Sequence, residues 1–202
     1  MFSTLSRRAL LMGMTAMPML ALPALASEPR FTDDVVVGDE NAPLTVFEYV
    51  SFSCPHCANF HKHVWPEIKA AYVDTGKVKF IFREVFFNRN DLRISLISRC
   101  GGPASYYPLA DLYLNSQSTW SRAPDPATAI EQVAKRAGMP QATMTACVAD
   151  EDFQKTLVEN YRRNAEQHGI RSTPSFVIEG TTHAGGMAFE EFAKLLDDAL
   201  SS

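Results

Sequence analysis

Apolar positions along this chain follow two rhythms. From Leu44 to Val50 (LTVFEYV) β-branched and aromatic residues run almost unbroken into Ser/Cys/Pro punctuation, which predicts a buried strand. Phe60, Val64, Ile68 and Tyr72 then recur every fourth residue, the mark of an amphipathic helix. Pro55 suits the first helical position, where a missing N–H costs nothing, and Pro66 is placed to kink the helix. Asp74-Thr75-Gly76 closes it, and residues 78–87 predict a second apolar strand. The stretch from about 90 to 168 reads as helices. Ile130, Val133, Ala134 and Ala137 share one face, stopped by Gly138; Phe153, Leu157, Tyr161 and Ala165 share another, stopped by Gly169. Strand character returns at Ser175-Phe176-Val177-Ile178, followed by a turn at Glu179-Gly180 and a last helix carrying Phe189, Phe192, Leu196 and Leu200. The order is β–α–β, a helical block, then β–β–α, which predicts an α/β core with a helical insertion.

The first 26 residues do not belong to that pattern. Arg7 and Arg8 precede an apolar run, Ala9 to Leu22, and then Ala24-Leu25-Ala26, a small-residue cleavage site. This predicts an export signal over residues 1–26, with residues 27–202 as the exported domain. Pro18, Pro23 and the A-x-A ending argue against an uncleaved membrane anchor. The twin arginine is compatible with either general or twin-arginine export. The whole chain has a formal net charge of −4, and the leader carries basic but no acidic side chains, so the remainder is more acidic still. No cluster of Lys and Arg suited to nucleic acid occurs. All four cysteines, Cys54, Cys57, Cys100 and Cys147, fall after the leader, and an even count in an oxidising compartment favours disulfides.

Candidate chemistry concentrates in Ser51–His63, SFSCPHCANFHKH. Two cysteines three apart either hold a metal or pass electrons. Zinc wants four ligands, commonly in two pairs. Cys54, Cys57 and His61, one helical turn on, make three at best, and His63 points elsewhere, so no metal is expected. The redox reading has a physical basis. Cys54-Pro55-His56-Cys57 sits where a strand becomes a helix, and a helix N-terminus offers unpaired N–H groups and partial positive charge. Cys54 at the tip should be the attacking thiol, its proton easily lost; Cys57, one turn in, should be the buried resolving thiol. A charged His56 would add a second positive group.

This Cys-Pro-His-Cys arrangement resembles the active site of the DsbA family, bacterial periplasmic thiol:disulfide oxidoreductases with a thioredoxin fold and an inserted helical domain. Three matches in order support the resemblance: Phe47 to Ser53 before the motif, the helical block after it, and Thr173-Pro174 leading into Ser175-Phe176-Val177. The likeness covers roughly 34–200. A depressed thiol pKa and an oxidising disulfide are properties of that family and enter as expectations from the resemblance. The resemblance implies further roles. Pro174 would be a cis-proline packed against the cysteines, exposing the backbone of Thr173 to an extended client peptide. Glu48 lies on the strand face of Leu44, Val46 and Val50; it would be the family's buried acid, with a raised pKa, exchanging protons with the resolving thiol. Cys100 and Cys147 resemble a second pair found in a subset of members, with two buried free thiols as the alternative.

The implied function is an exported disulfide oxidase, a monomer without cofactor. Its substrates would be reduced, unfolded exported proteins, and a quinone-linked, DsbB-like membrane oxidase would reoxidise it. Within the same chemistry, an isomerase or reductase is the alternative; the roughly 15 residues between Ala26 and the first core strand are too few for the dimerisation domain of related isomerases. A non-catalytic peptide-binding module is the alternative from another class.

Overall fold

The computed structural model describes residues 30–202; the expected export signal and its cleavage site lie outside the described residues. The chain forms a five-stranded sheet of order β1-β3-β2-β4-β5, from β1 (Val35–Val37), β2 (Leu44–Val50), β3 (Val78–Glu84), β4 (Ser175–Ile178) and β5 (Thr181–Ala184). β2 and β3 run parallel, with Val46 opposite Phe80 and Glu48 opposite Phe82; β1 on β3, β4 on β2 and β5 on β4 are antiparallel. A parallel pair requires a crossover. It consists of α1 (Pro55–His63), α2 (Trp65–Ile68) and a π-helical turn over Lys69–Val73. Between β3 and β4 lie α3 (Arg89–Cys100), α4 (Pro103–Asn115), α5 (Gln117–Ser121), α6 (Pro126–Arg136), α7 (Gln141–Val148) and α8 (Glu151–Gln167), and α9 (Phe189–Leu200) follows the sheet.

Both faces of the sheet are covered. On one, Val46, Val50, Phe80 and Phe176 meet Phe60 of α1 and Phe192 of α9 in the main core. The Phe60–Phe176 and Phe176–Phe192 ring centroids stand 4.8 and 4.6 Å apart, and such pairs add about 1 kcal/mol each beyond burial. On the other face, Tyr49, Val85 and Val177 pack with Tyr161 and Ile170. This explains why β2 reads as a nearly continuous apolar run rather than an alternating one: a central strand has no solvent face.

Two elements differ from their sequence expectations. The second strand ends at Glu84 rather than 87, because the backbone N–H groups of Phe87 and Asn88 turn to the Asp91 carboxylate (3.0 and 3.2 Å). The helix after the cysteines breaks at Val64 instead of bending at Pro66. A proline N cannot donate to the carbonyl four residues back, so the chain restarts as α2, and Asp74 N–H closes the π turn on Lys69 O at 2.8 Å. The β4–β5 turn has Glu179 at φ 47° and Gly180 at φ 77°, the two positive values of a tight hairpin turn.

The end of β3 is pinned to α3. Arg99 Nε and NH2 donate to Glu84 Oε1 and Oε2 at 2.7 and 2.8 Å, and Ser95 Oγ donates to Oε1 at 2.9 Å. Both charged groups are buried, and the guanidinium also lies over the Tyr106 ring, 4.7 Å from its centroid. Cys100, at the end of α3, forms a disulfide with Cys147 of α7, with 6.3 Å between Cα atoms.

Candidate active site

Cys54 is the N-cap of α1, with extended backbone (φ −77°, ψ 118°), and Pro55 begins the helix. Cys57 is one turn in and fully buried, whereas Cys54 is only part-buried, so a partner in solution meets Cys54 first. The Thr173–Pro174 peptide bond is cis. It brings the Thr173 carbonyl oxygen to 3.2 Å from Cys54 Sγ, an acceptor for that thiol only in its protonated form. The Thr173 hydroxyl is buried and has no hydrogen-bond partner among the described residues.

The environment separates the two thiols. The Cys57 thiol donates to the Cys54 sulfur; with help from the Thr173 side chain and the backbone N–H groups of Cys57 and His56, this outweighs partial burial and holds the Cys54 thiol at about 5, against an ordinary 9.0. Burial, followed by the neighbouring Cys54, pushes the Cys57 thiol far up. The surroundings thus favour the thiolate at Cys54 and the protonated thiol at Cys57. His56 supports the thiolate through its backbone N–H, while its imidazole points into solvent.

Residues that the linear reading passed over hold this tip in place. The Asp91 carboxylate, fully buried in the first turn of α3, accepts from Ser51 Oγ (3.0 Å), Ser53 N (2.8 Å) and Ser53 Oγ (3.0 Å), besides Phe87 and Asn88 N–H. One carboxylate thereby ties the loop before Cys54 to the loop after β3. From the other side, Gln117 Nε2 donates to Phe52 O at 2.6 Å and Cys54 O at 2.9 Å. Asn88 and Asp91 form a capping box on α3, a spacing visible in Asn88-Arg89-Asn90-Asp91. Nothing in sequence linked that box to cysteines more than thirty positions earlier.

Glu48 is fully buried on β2, with Oε1 2.9 Å from His61 Nε2 and Oε2 without a partner among the described residues. His61 Nδ1 lies 3.4 Å from Asp111 Oδ1 on α4. The histidine weighed as a third metal ligand thus engages two carboxylates instead of the cysteines. Its burial favours the neutral ring, but the Glu48 charge and the Asp111 contact prevail and raise it to about 9.

A thioredoxin family model matches residues 31–198. Among solved structures, Wolbachia pipientis alpha-DsbA1 aligns at TM-score 0.78 with 26% identity, covering 85% of this chain and 92% of that one. This chain belongs to the DsbA-like thioredoxin family. Oxidised BdbD from Bacillus subtilis shares the fold at TM-score 0.71 and 20% identity, over 84% of this chain and 94% of its own. A Rickettsia bellii protein assigned as a protein-disulfide oxidoreductase is 30% identical over 149 residues, 73% of this chain and 58% of that protein. The chain thus spans about three fifths of the length of that Rickettsia relative. Disulfide bond formation protein D of Bacillus subtilis is 32% identical over 75 residues, 37% of this chain and 34% of that one.

Proposed function

We propose that this DsbA-like chain is a disulfide oxidase of exported proteins. One observation carries the reading: the part-exposed Cys54 sulfur caps the N-terminus of α1 against the Thr173 carbonyl, one turn from the fully buried Cys57 sulfur, a setting that favours the thiolate at the first and the thiol at the second. In the oxidised state a client thiolate attacks Cys54 Sγ of the Cys54–Cys57 bridge. The S–S bond breaks, Cys57 leaves with the electron pair and takes a proton, and a client–Cys54 mixed disulfide forms. The client's second thiolate then attacks its own sulfur in that bond, and Cys54 departs as a stabilised thiolate. The client loses two electrons and the bridge gains them. A stable leaving thiolate favours release of the oxidised client and makes the bridge an oxidant.

The remaining residues take roles around this exchange. Thr173 offers its backbone beside Cys54 to an extended client segment, positioned by cis-Pro174. Glu48 exchanges the Cys57 proton, and Pro55 and His56 shape the helix tip. Reoxidation falls to a quinone-linked membrane oxidase of the DsbB kind. The Arg7-Arg8 leader and the Cys100–Cys147 bridge support a periplasmic location, an oxidising compartment.

The test supplies oxidised protein to a reduced, unfolded client with several cysteines and follows client thiols and recovered activity. Rapid loss of client thiols, abolished by Cys54→Ser, is expected. Slow oxidation combined with efficient repair of a scrambled client would replace oxidase with isomerase. Equal client oxidation by wild type and Cys54→Ser would leave only a peptide-binding role.

A further inference from the structure

Cys57 must lose a proton whenever the bridge closes and regain one whenever it opens, yet the thiol is fully buried. Glu48, on the strand that leads into the cysteine motif, is also shut off from solvent, with Oε2 unpartnered among the described residues. A buried carboxylate that gained a proton alone would change the charge of a low-dielectric site, which costs several kcal/mol. The structure provides compensation. His61 follows Cys57 by one turn on the buried face of α1 and lies between Glu48 (2.9 Å) and Asp111 (3.4 Å). Glu48 and His61 have no side-chain exposure, whereas Asp111 is about a third exposed. Asp111 also lines an open cleft of about 760 Å³ bordered by Pro108, Leu112, Met139 and Pro140.

We propose that Glu48, His61 and Asp111 form a charge-balanced proton outlet for Cys57, in which each proton Glu48 accepts is matched by one that His61 releases from Nδ1 toward Asp111 and solvent. This rests on the dithiol exchange proposed above. Before bridge closure the pocket holds a Glu48 carboxylate and a His61 imidazolium. During closure the Cys57 S–H proton passes to Glu48, the Cys57 sulfur attacks Cys54 in the mixed disulfide, and the departing thiolate leaves with its electrons. The imidazolium has then lost the Glu48 counter-charge, the larger of its two, and gives up the Nδ1 proton toward Asp111. The pocket ends with a neutral acid and a neutral ring, so its net charge stays zero and one proton reaches solvent. Bridge opening reverses each transfer. His61 and Asp111 are positioning residues: they act through Glu48 and do not touch sulfur.

The other ionisable groups around His61 leave this assignment intact. Tyr107 of α4 donates nothing to the ring; its hydroxyl accepts from Trp65 Nε1, and burial holds its proton. Tyr106 keeps its proton by burial. Cys57 is the group being served, and β3 presents the Phe82 ring, 5.4 Å from the His61 ring centroid.

The experiment uses reduced full-length exported protein and oxidised glutathione as a small disulfide. Stopped-flow tryptophan fluorescence separates glutathionylation of Cys54 from closure by Cys57, across pH and in light and heavy water. In wild type, closure should show a solvent isotope effect and a pH inflection. Asp111→Asn should slow closure about tenfold and shift that inflection; Asp111→Glu should restore both, and His61→Gln should abolish the inflection. The Cys54 thiolate titration should stay in place in Asp111→Asn. Folded Asp111→Asn protein with wild-type closure rate and pH profile would overturn the outlet, even if His61→Gln fails to fold. Slowing of Asp111→Asn without any change in pH profile or isotope effect would also overturn it, in favour of a structural role. Absence of closure in wild type would instead remove the exchange reading.

Discussion

The thiolate at Cys54 should be measurable as protein stability. Reduced protein compared with Cys54→Ser isolates its contribution, since serine cannot ionise in the accessible range. The thiol stands at about 5 when folded, against 9.0 ordinarily. A folded-state value below the unfolded one adds stability that is complete above pH 9 and disappears as pH falls through 5. At pH 7 two units of the difference are realised, about 2.7 kcal/mol. Cys54 is part-exposed, and solvent screening reduces this to about 1–2 kcal/mol. The stability gap between reduced wild type and Cys54→Ser should therefore widen steadily from pH 5 to pH 8. Urea unfolding under reducing conditions reads the gap, and ultraviolet thiolate absorbance reads the titration directly. A thiol midpoint within a unit of 9, or a gap that does not change with pH, would refute the reasoning.

Asp91→Ala should cost on the order of 3 kcal/mol in urea unfolding, because it strands buried donors from two loops; a loss below about 1 kcal/mol would show that the loops re-pair without it. Arg99→Met leaves Glu84 buried and unpaired and should cost about 3–5 kcal/mol at neutral pH. Although burial favours the neutral acid, Arg99 keeps the Glu84 carboxyl below its ordinary value, so the cost should shrink as acid protonates Glu84 in the variant; a pH-independent loss would contradict this. Non-reducing peptide mapping should recover Cys100 linked to Cys147. Replacing both with alanine should cost up to roughly 4 kcal/mol for the 47-residue separation and leave the Cys54 titration in place, and a displaced titration would show that the two pairs are coupled.

The β2 run, the Cys-Pro-His-Cys turn and the spacing of glycines behind α6 and α8 were legible because each depends on neighbours within a few residues. Side-chain alternation, helical period and chain-breaking chemistry are local properties, and a helix tip is polar wherever it occurs. The limits of this reading were also local. The phenylalanines at 86 and 87 look like more strand, and only the distant Asp91 carboxylate shows why pairing stops. Glu48 could be placed on the buried face by alternation, but its partner could not, since His61 is a plausible metal ligand until α4 sets Asp111 beside it. Gln117 looks like any polar helix start until α5 packs over the cysteine loop.

The sequence by itself determined which residues could do the chemistry: two sulfurs one helical turn apart, a proline able to adopt the cis form, and an acid on a strand with no solvent side. Tertiary structure decided how those groups are charged and held. Proton affinity depends on burial and on hydrogen-bond partners brought together across tens of residues, and no local pattern specifies which surfaces will meet.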